Sequence, residues 1–316
     1  MKKNILAIEA IVLLLVFLSG CDQPVDKKTG KPLDTITTGA LKVMIDEGYK
    51  PIMASAIDVF DSVYRQAKID AIYTSEAEAV QALIKDSVQV IVISRKLSEE
   101  ELSYFKARGF MPYTTPIAHD AVAFIVNPAN VDTVFTNDQL RDMLTGKTTN
   151  WAQVNPKSKL GPIRVVFDNP LSGTVRYCKD SIGGGASLPS TASALKTNEE
   201  VINYVSKQKN AIGIISANWI SDTDDKGVQK FLHSVQLVDV AKAPGLEGYG
   251  PYQAYLAQGW YPYKRTVHVI NAQGRRNGLG MGFASFLAGS DGQRIVMKDG
   301  LLPAQIQPRI VKVQKE

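Results

Sequence analysis

Short apolar runs alternate along the chain with segments whose apolar residues recur every three or four positions. The runs predict β-strands near residues 41–45, 69–73, 88–93, 121–126, 163–167, 211–215 and 266–270. Amphipathic helices are predicted between several of them, for example a helix that carries Ile57 and Phe60 on one face. Because alternating strands and helices build parallel sheets with helical crossovers, the pattern predicts an α/β fold.

Polar capping sequences mark the starts of several predicted helices. Ser75, Ser98, Thr136 and Thr197 each precede a Glu or Gln at the spacing of a capping box. Residues 243–263, in contrast, are rich in glycine, proline and tyrosine, so the sequence predicts a loop there.

One strand–turn–helix segment carries the clearest candidate chemistry. An apolar strand ends at Phe167, a turn follows at residues 168–170, and a helix opens near Ser172. Free N–H groups at this helix start, hydroxyls on both sides of Gly173, and Arg176 in the first turns together suit a small anion. The alternative is an ordinary helix start in which Ser172 serves only as the N-cap.

Short polar segments also follow three other predicted strands, each at or near a helix start. In open α/β sheets, ligands bind outside the carboxyl ends of the strands. We therefore expect these loops to converge on one cleft that binds an oxyanion. The loops are Glu47-Gly48-Tyr49, Ser75-Glu76, Ser94-Arg95 and Ser172-Gly173-Thr174.

Residues 1–20 have the pattern of a targeting segment. Lys2 and Lys3 precede a short apolar core at 11–18, and Leu-Ser-Gly-Cys at 18–21 resembles the bacterial lipoprotein processing box. Cleavage there leaves Cys21 as the lipidated first residue, with residues 21–34 as a tether. The apolar run is too short to span a membrane permanently, and an uncleaved anchor helix is the alternative.

Composition limits the classes of partner. The full chain has a net charge of +5, and loss of two lysines and one glutamate with residues 1–20 leaves about +4. Acidic and basic residues are interspersed without an arginine-rich stripe, so nucleic acid is not expected as a partner. The mature length suits two lobes. Cys178 is the remaining cysteine, which predicts a buried, inert thiol without an intramolecular disulfide.

The sequence lacks the usual signatures of an enzyme. His119, His233 and His268 do not have the spacing of metal ligands, and neither a G-x-S-x-G elbow nor a P-loop occurs. A nucleophilic role for Ser172 requires a base that only folding brings near it. We therefore expect binding without catalysis, and neither a metal nor a cofactor.

Several segments together resemble the periplasmic phosphate-binding proteins of phosphate ABC transporters, in the lipoprotein form found in Bacteroidetes. They are the lipoprotein start and residues 46–49, 92–95, 146–151, 168–176 and 300–303. The resemblance implies a two-lobed type II binding protein that closes by hinge bending, with a mostly parallel sheet in each lobe. Lobe I then comprises residues 35–118 with 241–316, and lobe II comprises residues 119–240.

The resemblance also implies an exchange of two charges in the cleft. The family has an aspartate after the serine of the third loop and an arginine before the serine of the fourth, where this chain has Arg95 and Asp168. In the exchanged arrangement, Arg95 binds the anion bidentately and Asp168 accepts the proton of a hydrogen phosphate. The alternative is that both are solvated charges or form a structural ion pair.

The expectation is a monomeric lipoprotein on the periplasmic side of the cell envelope that captures inorganic phosphate or a similar oxyanion. It would deliver this ligand to ABC permease and ATPase subunits. A scaffolding or adhesion lipoprotein without a ligand is the alternative, and a hydrolase comes third. The expected ligand-binding residues are Gly48, Tyr49, Ser75, Ser94, Arg95, Asp168, Ser172, Gly173, Thr174 and Arg176.

Overall fold

The computed structural model describes residues 34–305. The predicted signal peptide, the lipidation site Cys21 and tether residues 21–33 lie outside the described residues. The strands are β1 (Gly39–Asp46), β2 (Ala67–Thr74), β3 (Val90–Ile93), β4 (Tyr113–Val126), β5 (Val134–Thr136), β6 (Arg164–Phe167), β7 (Ser193–Ala194), β8 (Ala211–Ser216), β9 (Gln236–Leu237), β10 (Asp239–Ala241), β11 (Gly248–Tyr249), β12 (Lys264–Asn271) and β13 (Leu302–Pro303).

The helices lie mostly between consecutive strands, as the alternating pattern predicts. They are α1 (Lys50–Val63), α2 (Glu76–Ile84), α3 (Glu99–Ala107), α4 (Asn137–Leu144), α5 (Trp151–Val154), α6 (Gly173–Tyr177), α7 (Asn198–Lys207), α8 (Lys226–Ser234), α9 (Gln253–Gln258), α10 (Leu279–Ala288) and α11 (Ser290–Lys298). A π-helical segment, Cys178–Ile182, continues α6, and short 3-10 turns lie at Glu47–Tyr49 and Ala217–Trp219.

A mixed sheet with the strand order β2-β1-β3-β12-β4-β8-β6-β7 forms the centre of the molecule. β1 pairs in parallel with β2 and β3, and β6 pairs in parallel with β7 and β8. Between these groups, β12 is antiparallel to β3 and β4, and β4 is antiparallel to β8. The predicted α/β fold is confirmed, and the strand direction reverses only where the two parallel groups of this described sheet are joined.

Strand β4 extends well beyond the apolar run at 121–126 that predicted it. Its first half pairs with β12, from Tyr113 opposite Asn271 to Ala121 opposite Lys264. Its second half pairs with β8 along residues 122–126. The hydrophobic pattern missed the first half because residues 113–116 alternate between half-buried and exposed and do not form an apolar run. As a result, β4 and β12 carry the chain from one parallel group to the other.

Separate hydrophobic cores lie on the two sides of the joining strands, and we call these sides lobe I and lobe II. In lobe I, Phe60 and Phe283 are fully buried with their ring centroids 5.1 Å apart. In lobe II, Trp151 and Phe167 are buried with the strands β6 and β8. Tyr261 also packs into the lobe II core, although it lies beyond residue 240, where lobe II was predicted to end. The exact residue boundaries predicted for the lobes stay a prediction.

The capping residues predicted from the sequence lie at helix starts in the structure. Ser75, Ser98 and Thr136 form complete capping boxes, and the Thr197 side chain accepts a hydrogen bond from the Glu200 amide. The prediction of a loop at 243–263 is wrong, since β11 and α9 form within it. Its tyrosines and Trp260 supply ring contacts, such as 5.1 Å between the centroids of Tyr249 and Trp260, that favour ordered structure.

Candidate functional site

The carboxyl ends of β1, β3 and β6 bring the polar loops of both lobes together. β1 ends at Asp46, whose Oδ1 accepts a hydrogen bond of 3.0 Å from the Gly48 amide and so caps the following turn. β6 is followed by the turn that leads to Ser172. The convergence expected from the strand ends is therefore present in the fold.

The residues Ser172, Gly173 and Thr174, which we call the 172–174 loop, begin helix α6. Ser172 Oγ accepts a hydrogen bond of 3.1 Å from the Val175 amide, so Ser172 is the N-cap. The same hydroxyl donates to Asp168 Oδ1 over 2.7 Å. The predicted strand–turn–helix segment and its cap are confirmed, and all three loop residues are buried.

A carboxylate of lobe I reaches across the cleft to this loop. The Gly173 amide donates to Asp46 Oδ2 over 2.9 Å, and both groups are buried. A Cβ added at Gly173 would lie 2.5 Å from Ser94 Oγ and 2.7 Å from both Asp46 Oδ2 and Glu76 Oε2. Glycine is needed here because only a residue without a side chain lets the two lobes approach so closely.

Glu76, the first residue of α2, is surrounded by donors from both lobes. Its Oε2 accepts from the Ser94 amide at 3.1 Å and from Ser94 Oγ at 2.7 Å. Its Oε1 accepts from Arg95 Nε at 3.1 Å and from Arg176 Nε at 2.5 Å. Arg176 belongs to lobe II, so this ion pair joins the two lobes, as does the hydrogen bond from the Gly173 amide to Asp46.

Arg265 of β12 is the buried cation nearest the 172–174 loop. Its side chain is 2% exposed and its Nη2 lies 2.8 Å from Asp120 Oδ2 on β4. Nη1 donates to the Thr174 hydroxyl over 3.3 Å. The guanidinium carbon lies 5.4 Å from the ring centroid of Tyr49, which is itself fully buried. Arg265 thus connects the joining strands to the loop.

Arg95 and Asp168 do not contact each other, so the alternative of an ion pair between them is wrong. Arg95 pairs with Glu76 and, through both terminal nitrogens at 2.6 and 2.8 Å, with Glu101 of α3. Asp168 Oδ2 is 3.3 Å from Asn198 Nδ2, and among the described residues Asp168 makes no ion pair. Glu101 lies in the same lobe and binds both terminal nitrogens of Arg95, which keeps Arg95 from reaching across to Asp168.

The other predicted residues take supporting positions. Gly48 approaches lobe II, where its carbonyl accepts a hydrogen bond of 3.1 Å from Asn218 Nδ2. Ser75 uses its hydroxyl to cap α2, and the following Glu76 is the residue that enters the site. The ligand-binding residues expected from the sequence did not include Asp46, Glu76, Asp120, Asn198 or Arg265, although Glu76 was named in one of the converging loops.

The two interlobe carboxylates differ in acidity because their charged neighbours differ. Burial, followed by the charges of Glu76 and Asp168, raises the pKa of Asp46 to about 7, although Arg265 opposes this. For Glu76, burial also favours the neutral form, but the charge and hydrogen bonds of Arg176 outweigh it and lower the pKa. Glu76 is therefore an ionised acceptor, whereas Asp46 exchanges a proton near neutral pH.

Other kinds of site find little support in the part of the chain that the structure describes. No cluster of three His, Cys, Asp or Glu side chains has the arrangement of a metal site within residues 34–305. Across the same residues, no helix has the length and apolarity that a membrane span requires. Cys178 is buried, as predicted.

Comparison with known proteins agrees with this fold. The chain is 24% identical over 284 residues to the phosphate-binding protein PstS of Pseudomonas aeruginosa, an alignment that covers 83% of this chain and 82% of the relative. A substrate-binding protein from Clostridium perfringens, solved with bound phosphate, superposes with a TM-score of 0.71 at 21% identity. The superposition covers 84% of this chain and all of that one (100%).

A second solved structure has the same architecture. An ABC-type phosphate transport receptor from Vibrio cholerae superposes with a TM-score of 0.63 at 21% identity, again over 84% of this chain and 100% of its own. A family model described as a PBP superfamily domain matches residues 34–291. Since that match takes in most of the sequence, the chain belongs to the PBP superfamily.

Proposed function

We propose that this protein is the substrate-binding component of an ABC importer and that its ligand is inorganic phosphate. The observation that carries the proposal is the Gly173 amide, which already binds an anionic oxygen, Asp46 Oδ2, at 2.9 Å. The donors beside it are the Thr174 hydroxyl and the guanidinium groups of Arg176 and Arg265. Relatives named phosphate-binding protein PstS support phosphate as the oxyanion.

The geometry supports capture by hinge bending. When the lobes separate, the Gly173 amide and the Arg176 guanidinium are released from Asp46 and Glu76, and an entering oxyanion takes their bonds. Asp46, whose pKa is raised to about 7, then either accepts a phosphate proton or carries one itself. Each charge-assisted bond contributes roughly 1.5–3 kcal/mol, so five or six of them suffice for about micromolar affinity.

Arg95 and Asp168 take indirect roles in this proposal. Arg95 orients Glu76 and is itself fixed by Glu101, so it holds the lobe I side of the site. Asp168 accepts from the Ser172 hydroxyl over 2.7 Å and thereby orients the 172–174 loop. Their effect on phosphate is exerted through these partners.

The same proposal includes the setting of the protein in the cell envelope. We infer that Cys21 carries lipid on the periplasmic side, that residues 21–34 form the tether, and that the protein acts as a monomer without catalysis. Its ligand would pass to a permease and its ATPase. Cys21→Ser tests the anchor: it should release the protein into the soluble envelope fraction and abolish palmitate incorporation, and a membrane-bound variant would contradict this.

Isothermal titration tests the ligand. Phosphate should bind with about micromolar affinity at pH 7.5. Sulfate should bind more weakly, because Asp46, whose pKa is raised to about 7, is mostly ionised at that pH and sulfate has no proton to share with it. Thr174→Val should weaken phosphate binding roughly tenfold or more, since it removes one donor. Thr145→Val is the matched control, because the Thr145 hydroxyl donates an exposed hydrogen bond to the Arg141 carbonyl at the end of α4.

A ligand-free scaffolding lipoprotein is the second candidate, and one observation favours it. The donors of the site are already bound by the chain's own Asp46 and Glu76. No detectable binding of phosphate, sulfate or molybdate at millimolar concentration would contradict the proposed function and support this candidate. Turnover of a phosphoester would instead favour a hydrolase.

A further inference from the structure

Glu76 is bound as a small oxyanion would be bound. Five donor–acceptor contacts reach its two carboxylate oxygens: the Ser94 amide and hydroxyl, Arg95 Nε, and Arg176 Nε and Nη2. A backbone amide, a hydroxyl and two guanidinium groups are the donors that proteins use for phosphate and sulfate. Its side chain is 3% exposed, so water does not compete for these bonds.

Asp46 occupies the neighbouring donor. Its Oδ2 accepts from the Gly173 amide, and its Oδ1 accepts from the Gly48 amide over 3.0 Å. A Cβ built on Gly173 would lie 2.7 Å from both Asp46 Oδ2 and Glu76 Oε2, which shows that the two carboxylates converge on one point of lobe II.

Resting on the proposed function, we propose that Asp46 and Glu76 are internal competitors of the ligand. They hold the donors of Gly173, Ser94 and Arg176 until an oxyanion displaces them, and they thereby set the affinity and selectivity of the site. A ligand must exchange bonds with these carboxylates one for one. Weak oxyanion ligands are consequently excluded, because they cannot replace charge-assisted bonds that already exist.

The charge balance around the site supports this competition. The carboxylates around the cleft are Asp46, Glu47, Glu76, Asp168 and, behind them, Asp120. The cations are Lys50, Arg95, Arg176 and Arg265. Acids outnumber bases, so an added dianion meets repulsion unless a carboxylate moves away or takes up a proton. Asp46 is the group whose acidity permits the latter, since its pKa is raised to about 7.

Glu76 and Asp46 also determine how firmly the lobes adhere. Both of their bonds to Gly173 and Arg176 cross the cleft, as does the bond of 3.2 Å from the Ala77 amide to the Leu171 carbonyl. Removing the charges should therefore open the lobes, whereas removing an equivalent charge outside the cleft should not. A purely structural ion pair would not tighten ligand binding when it is broken.

The test uses Glu76→Gln, Asp46→Asn and the double variant, with Glu99→Gln as control. Glu99 pairs only with Lys106 among described residues and is 85% exposed in its side chain. Phosphate titration at pH 8 should show at least tenfold tighter binding for Glu76→Gln and unchanged affinity for the control. In phosphate-free buffer, hydrogen exchange of the 171–176 segment should be at least tenfold faster in the double variant, and phosphate should restore its protection.

The outcomes separate this inference from the proposed function. Equal or weaker phosphate binding by Glu76→Gln, with wild-type binding intact, overturns the competition. Exchange in the 171–176 segment that is as fast in the wild type as in the double variant also overturns it. If no form binds phosphate while the double variant loses protection, the carboxylates do hold the donors and the phosphate assignment fails.

Discussion

The Thr174 hydroxyl lies 3.3 Å from Nη1 of Arg265, a residue 91 positions later in the chain. This contact joins the start of α6 to strand β12 and supplies a buried positive charge beside the 172–174 loop. The sequence resemblance pointed to an arginine at the place where this chain has Asp168. The charge that an anion needs therefore comes from a different element, at nearly the same point of the cleft.

Arg265→Met should destabilise the protein by about 3–5 kcal/mol, because it leaves Asp120 buried without its partner. Urea denaturation measures this change, and any folded fraction should have lost phosphate binding. Arg294→Met is the control: its side chain is 77% exposed, and the expected change is within about 0.5 kcal/mol. Equal stability of the two variants would contradict a buried charge pair at Asp120.

Gly173→Ala should weaken phosphate binding at least tenfold while the fold persists. The added methyl group would lie 2.5 Å from Ser94 Oγ, an atom of the opposite lobe, so it holds the lobes apart without entering either core. Titration calorimetry measures the loss. Gly184→Ala is the control because its Cβ meets no described atom within 4 Å. With φ at +63°, that change costs about 1 kcal/mol of stability but should leave affinity unchanged.

The stability of the protein should depend on pH through Asp46. Its pKa is raised from 3.8 to about 7, so the folded state holds this proton more tightly than the unfolded chain. Stability attributable to Asp46 is therefore lost as the pH rises from about 4 to about 7. Asp46→Asn mimics the protonated form and should match the wild type near pH 4, then exceed it increasingly up to pH 8.

Urea titrations of both proteins at pH 4.5, 6 and 8 measure this difference. The pKa of Glu76 is lowered, so its own contribution runs in the opposite direction and is lost in acid. That contribution is present in both proteins and largely cancels in the comparison. A difference that does not grow with pH would show that Asp46 is ionised without cost in the folded state.

The Cys178 thiol should be inert in the native protein. It is fully buried in the lobe II core, and burial raises the pKa of the thiol well above its usual value. Dithionitrobenzoate should therefore react with a Cys21→Ser form only after unfolding, in a ratio of about one thiol per chain. Rapid reaction of the folded protein would place this cysteine at an accessible surface and contradict the packing of the π-helical segment Cys178–Ile182.

The sequence was sufficient for the elements that local chemistry determines. The apolar runs located β1, β3, β6 and β8, and the spacing of a hydroxyl residue before a Glu or Gln located the starts of α2, α3, α4 and α7. The anion-binding character of the 172–174 loop could also be inferred locally, since a cap, a glycine and a nearby arginine are adjacent in sequence. These features depend on neighbours within one or two turns.

Sequence reasoning failed where distant residues decide the outcome. Arg265 lies at the polar start of β12, just before the run at 266–270 that predicted the strand, and has no local signal of function. A buried arginine does, however, require a partner such as Asp120. Glu76 was named as part of a converging loop but not as a ligand-binding residue, because its donors come from the end of β3 and from α6. Arg95 pairs with Glu101 in its own lobe, which a comparison of family positions does not reveal.

Arg265 and Asp120 lie on β12 and β4, the two strands that carry the chain between the parallel groups of the sheet. Under the proposed hinge bending, the positive charge beside the oxyanion site lies on the strands that connect the lobes. Neutralising Arg265 with a ligand would then change the packing of those strands, so binding and closure would be coupled. A permease that recognises the closed shape would thereby detect bound ligand without a relay from a remote pocket.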